Sequence, residues 1–180
     1  LPDIVNGIWS FCEESSWCWP AHIAMQKAGV NLPDVTEPIA DLGIGEKAAK
    51  LAWVSFLLKD QLDSISPLIR QRIYFEIEKR LLAPVLQRSD FWWMGYTTKR
   101  PNNWNPWITS NYLTCVLLLE KNKEKQIAYV KKAMELLDLF TKSAADYLGQ
   151  WFESEVVKGA FAFDGIVGAY ASPYTPGTAY

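Results

Sequence analysis

Between Gly45 and Trp151 the chain carries four successive stretches of helical period separated by only a few residues each, and that succession limits the fold more than any other feature. From Gly45 to Ser64, Ala48, Leu51, Ala52, Phe56, Leu58 and Leu62 recur near helical spacing, with lysines and acids between them. Ser66 then offers a capping hydroxyl and Pro67 a first helical residue whose missing N–H has no partner to lose. A second helix follows, with a bend or break expected near Pro84. A third is expected to take Asn105 as its cap and Pro106 as its opening residue, running to about Lys121. Past Asn122 a long fourth helix carries Ile127, Val130, Ala133, Leu136, Leu137, Phe140 and Ala144 on one stripe. Long helices joined by short connectors pack as antiparallel neighbours, so the expected class is all-α, built of helical hairpins.

Two segments depart from this pattern. The opening, Ile4 to Gly29, holds Trp9, Trp17, Trp19 and the single histidine, and is expected to be irregular or briefly helical. The close, Gly159 to Tyr180, is rich in Gly, Pro and small residues and has no helical period.

Composition removes several function classes. A length of 180 residues suits one domain with a real core. Charged residues, 21% of the chain, sum to a net of −2, which leaves no broad basic face for nucleic acid. No apolar run approaches the roughly 20 residues that cross a bilayer, so no membrane partner is expected. Cys12, Cys18 and Cys115 have neither metal-ligand spacing nor accompanying histidines, and no metal or cofactor is expected. The start at Leu1, without methionine or leader, fits a mature, trimmed or excised chain and leaves the compartment undecided.

Three patterns hold candidate chemistry. Gly43, Gly45 and Ala48 have the spacing of a dinucleotide loop, but no strand precedes them, so a glycine-softened helix start is the better reading. His22 lies among Trp9, Trp17, Trp19 and Pro20, which could wall a cleft, with Glu13 and Glu14 near enough in sequence to orient it. The stretch from Asp90 to Trp107 combines the flat faces of Trp92, Trp93, Trp104 and Trp107 with the amides of Asn102, Asn103 and Asn105 and the cations Lys99 and Arg100. Indoles stack on sugar rings, amides bond hydroxyls or a carboxylate, and cations balance charge, so this mixture fits an acidic saccharide.

The stretches "IWSFCEESSWCWPAH", "LLKDQLDSISPLIRQRIYFEIEKRLLAPVL" and "FWWMG…NNWNPWITSNYLTCVLLLE" resemble, in that order, the helical domain of heparinase II/III-type polysaccharide lyases, over roughly Ile4 to Lys142. The resemblance implies that residues 1–142 form part of an (α/α) toroid binding an acidic polysaccharide in its concave face, in a family expected to be bacterial and periplasmic or secreted. It implies β-elimination at a uronate, with Asn103 neutralising the carboxylate, Asn102 beside it, and His22 as a further catalytic or contact residue. Trp17, Trp19, Trp93, Trp104, Trp107 and Arg100 would contact substrate. The family's tyrosine-bearing segment and second histidine have no counterpart here, so binding without full lyase activity is expected. Residues 143–180 resemble an internal piece of phytoene-dehydrogenase-like FAD oxidoreductases, without a nucleotide-binding glycine motif. The alternatives are a helical interaction module whose tryptophans are core and, from the tail alone, part of a flavin oxidoreductase.

Overall fold

The computed structural model describes residues 1–29, 32–96, 102–141, 144–149, 152–159 and 174–176. Among them the regular structure is entirely helical, which makes the chain all-α. The junction at Lys142 and Ser143 and most of the tail lie outside the described residues.

The opening is more regular than its sequence suggests. Helix α1 spans Pro2–Glu13, with Pro2 and Asp3 in a first turn that favours both. It buries only Ile8 and Cys12. Its C-terminal carbonyls are taken up by arginines rather than by a glycine cap: Arg72 and Arg80 donate to Cys12 O at 3.1 and 3.4 Å, and Arg80 also to Glu14 O at 2.8 Å. Glu76, 3% exposed, holds both guanidinium groups at 2.8 and 2.7 Å. Two cations on one buried carboxylate thus fasten α1 to the next helix layer.

Helix α2 spans Leu42–Leu57 and begins before the predicted start, because the Asp41 side chain caps it by accepting Ile44 N–H at 2.8 Å. After a break at Leu58 the short α3 covers Lys59–Ile65. Ser66 caps α4, Pro67–Ile77, as expected, its Oγ accepting Leu68 N–H at 3.2 Å. Instead of breaking at Pro84, α4 widens into a π-turn over Glu78–Leu82 and continues as α5, Ala83–Gln87. Ala83 N–H reaches Glu78 O five residues back, so the wider turn comes just before the proline and absorbs the misfit its ring would otherwise impose.

Helix α6 spans Trp104–Leu119 and α7 spans Lys123–Thr141. Asn122 Oδ1 accepts Glu124 and Lys125 N–H at 3.0 and 3.1 Å and so starts α7 after the short connector. A further turn, α8, covers Ala144–Gly149. The Asn105 cap is corrected: Asn105 is 1% exposed inside α6, and Asn102 Oδ1 takes the Trp104 N–H at 2.9 Å instead.

The core lies where α2 crosses α6, with α4 and the π-turn against α2 and α7 against α6. Gly45, Ala48, Ala49 and Ala52 give α2 a low face against Ile108, Tyr112, Cys115 and Val116 of α6. A Cβ on Gly45 would stand 3.5 Å from Asn111 Cβ, an ordinary packing distance, so this position lies against α6 without requiring glycine. The dinucleotide-like spacing is therefore a helix-packing surface. Ile69, Ile73, Ile77, Leu81, Leu82 and Val85 complete the core from the α4–α5 side. Each such side chain contributes roughly 1.5–3 kcal/mol by burial.

Candidate functional site

The candidate site is built from four separate pieces of chain. Pro20 opens a 3-10 turn, Pro20–Met25, in which His22 N–H donates to Trp19 O at 2.8 Å. That turn sets the imidazole beside the Trp19 ring, centroids 5.5 Å apart. Asp41, fully buried at the head of α2, holds the arrangement from beneath. Its Oδ2 accepts Trp19 N–H at 3.0 Å and lies 2.7 Å from His22 Nδ1, while its Oδ1 caps the helix. Gly43 makes room above: a Cβ there would stand 2.3 Å from Trp19 Cδ1, so only a residue without a side chain lets the indole lie on the helix start.

The other two pieces close the row. At the head of α6, Trp104 sets its ring 4.4 Å from His22. Trp92, in the 3-10 turn Trp92–Met94, sits 4.9 Å from Trp104. That turn is pinned by Trp93, whose Nε1–H donates to Ala40 O at 2.8 Å, one residue from Asp41. Gly95, at φ 82°, ends it in the left-handed region that favours glycine. Trp19, His22, Trp104 and Trp92 thus form a row of rings tilted against one another by 31°, 50° and 53°, an uneven aromatic shelf. Its ends, Trp19 and Trp92, are 41% and 40% exposed, and the His22 side chain is 18% exposed.

The tryptophans named in the sequence separate into two kinds. Trp17 and Trp93, 1% and 0% exposed, are core residues and do not belong to the shelf. Trp17 is fixed by donating to Phe11 O at 2.7 Å, with the Arg80 guanidinium 4.7 Å from its ring. Trp19 and Trp104 belong to the shelf, and Trp107 is exposed one turn further along α6. Asn103 is exposed at the N-terminal boundary of α6 and makes no capping bond with its side chain. Asn102 is half-buried, and its Nδ2 is buried without a hydrogen-bond partner among the described residues. Arg100 and Lys99 lie outside the described residues.

The orientation of His22 by Glu13 or Glu14 is also corrected. Glu13 pairs with Arg72 at 3.1 Å and Glu14 pairs with Lys47, so the groups nearest in sequence are committed to α4 and α2. Asp41, which sequence reasoning missed, does the work. Its available signal was a helix-capping aspartate directly before an apolar stretch.

Chemically, the site joins flat apolar faces to a single imidazole. A buried carboxylate is an acceptor, so it places the ring proton on Nδ1 and leaves Nε2 as the other polar position. No hydrogen bond to Nε2 is formed among the described residues. Cys18 lies against the same corner, its thiol donating to Trp19 O at 3.3 Å. Burial first, and Asp41 second, push this thiol up to about 12, which makes it a structural group rather than a nucleophile. The described residues contain no metal-binding cluster and no helix long and apolar enough to cross a membrane.

No family model matches the chain. It is similar to pyridine nucleotide-disulfide oxidoreductase domain-containing protein 2 of Rattus norvegicus, with 44% identity over 43 residues. The match takes in 24% of this chain and 7% of that protein. This overturns the resemblance to heparinase II/III-type lyases: nothing found assigns the helical part to that family, and the partial similarity is instead to an oxidoreductase-domain protein. The finding does not contradict an oxidoreductase resemblance of residues 143–180, but a match of that length gives this chain neither a family nor an activity.

Proposed function

We propose that the chain binds a saccharide on the shelf formed by Trp19, His22, Trp104 and Trp92. The observation that carries this reading is the contact of His22 with Trp104 at 4.4 Å and with Trp19 at 5.5 Å, in a row whose ends are open. Sugar rings present an apolar C–H face and a rim of hydroxyls, which suits indole faces with a polar atom between them. An acidic saccharide is the proposed class. The imidazole, held by Asp41 through Nδ1, sets a polar edge between the indole faces for the rim groups of such a ligand.

The alternative of an interaction module with core tryptophans accounts for Trp17 and Trp93 but not for the exposure of Trp19 and Trp92. Titration of the folded chain with uronate oligosaccharides, followed by calorimetry and tryptophan fluorescence, tests the proposal. Saturable heat with a fluorescence change supports it, and a flat titration in both removes it.

A further inference from the structure

A cavity of about 460 Å³ opens between α2, α3, α4 and the end of α6. It is separate from the shelf: Trp104 stands at the head of α6 and Glu120 directly past its last residue, about 24 Å away along a helix of 16 residues. Bonds among the lining residues brace its wall. Arg70 Nη1 donates to Asp63 at 2.6 Å and Arg70 Nε to the buried Ser55 hydroxyl at 3.3 Å, which ties α4 to α3 and α2. The Tyr74 O–H donates to the Glu120 carboxylate and ties α4 to the end of α6.

Glu120 is the group that this wall leaves unmatched. The other buried charged side chains among the described residues each face a group of the opposite kind: Glu76 holds Arg72 and Arg80, Asp41 lies against the His22 ring, and Lys132 stands 3.8 Å from Glu135. Glu120, 8% exposed, is held instead by neutral donors, the Tyr74 O–H and the Asn122 N–H at 2.7 Å, and forms no ion pair among the described residues. A carboxylate taken out of water without a cation beside it is costly, and a cation brought to it offsets that cost. The nearby positive groups are placed otherwise. Arg70 is paired with Asp63, Lys125 with Glu78 at 3.2 Å, and Lys121, which also lines the cavity, is exposed and keeps its charge in water.

We propose that this cavity binds a small organic ammonium ion, whose N–H groups donate to Glu120 and whose carbon chain packs on the Tyr74 ring, Pro67 and Leu119. A bond from an ammonium group to a carboxylate is about twice as strong as a neutral one, and an aromatic face beside it attracts the same cation. An organic anion would meet Glu120 as a like charge, with the Arg70 guanidinium already held by Asp63. The site goes beyond the saccharide reading, and no result at one bears on the other.

The test titrates the full chain, labelled with nitrogen-15, with n-butylammonium, n-butanol and butyrate, which share a carbon chain and differ in charge. The expected result is a saturable shift of the backbone amides around Tyr74 and Glu120 with n-butylammonium alone. Glu120→Gln, which keeps acceptors for Tyr74 and Asn122 and removes the charge, is expected to weaken that binding at least about tenfold. Tyr74→Phe keeps the ring and frees the carboxylate of one donor, and is expected to bind n-butylammonium about twofold more tightly or better, so the proposal stays testable if the first variant does not fold. Absence of a saturable shift with n-butylammonium, an equal response to butyrate, or undiminished binding by folded Glu120→Gln overturns the proposal.

Discussion

Asp41 Oδ2 lies 2.7 Å from His22 Nδ1, and the same buried carboxylate caps helix α2 through Ile44 and holds Trp19 N–H. One side chain therefore sets a helix start, the direction of an imidazole and the seat of an indole. Fold and site are coupled at this residue, and variants should show it.

Replacing Asp41 by alanine removes a helix cap, worth about 1 kcal/mol, and leaves the Trp19 N–H without its partner, worth roughly 1–3 kcal/mol. A loss of about 2–4 kcal/mol is expected in urea unfolding. His22→Gln, at a partly exposed ring, is expected to cost far less.

Gly43→Ala tests the seat of Trp19. Its new methyl would stand 2.3 Å from Trp19 Cδ1 and 2.9 Å from Trp17 O, so the indole must leave the helix start. Overpacking of this kind costs roughly 1–3 kcal/mol, and the expected signature is a changed tryptophan emission together with weakened ligand binding.

The two kinds of tryptophan should respond oppositely. Trp17→Ala or Trp93→Ala empties a core site and is expected to lower stability by roughly 3–5 kcal/mol. Trp104→Ala is expected to weaken saccharide binding by about tenfold, as stacking is lost, while the chain still folds. Thermal unfolding measured beside calorimetry separates the two effects.

Alkaline pH should unfold the protein by way of its tyrosines. Burial first, then Glu78 and Glu120, raise Tyr74 well above its ordinary 10.0. Burial first and then Glu78 raise Tyr129, which donates to both Glu78 oxygens at 2.7 and 2.8 Å, and Tyr112, whose buried OH has no partner among the described residues. The folded state thus keeps these protons more tightly than the unfolded chain. The resulting stability is complete below about pH 10 and is lost as the pH rises beyond it. Chemical unfolding repeated across that range is expected to show the fall, and Tyr129→Phe to reduce its slope.

Much of the helical frame was legible in the sequence. Ser66 and Pro67 announced α4, and the stripes from Ala48 to Leu62 and from Ile127 to Leu136 marked α7 and, as a single helix, the stretch that divides at Leu58 into α2 and α3, although Phe56 and Ile127 on those stripes face outward. The opening was read as irregular or briefly helical, and the length of α1 was not legible because it buries only Ile8 and Cys12 and turns Ile4, Trp9 and Phe11 outward, leaving no inward stripe. The site was legible as an aromatic and amide mixture but not as a geometry. In each of the pairs Trp17 and Trp19, Trp92 and Trp93, one ring is buried and the other faces out, and local composition is the same for both. The partner of His22 stands nineteen positions away at a helix cap, while the acids beside it in sequence are bound to Arg72 and Lys47.

The most direct test of the account is calorimetric titration of the wild-type chain and of Trp104→Ala with the same uronate oligosaccharide, both proteins first shown to be folded by circular dichroism. The account predicts saturable binding by the wild type and a loss of about tenfold in the variant. Equal affinities in the two folded proteins, or no binding by the wild type, would contradict it.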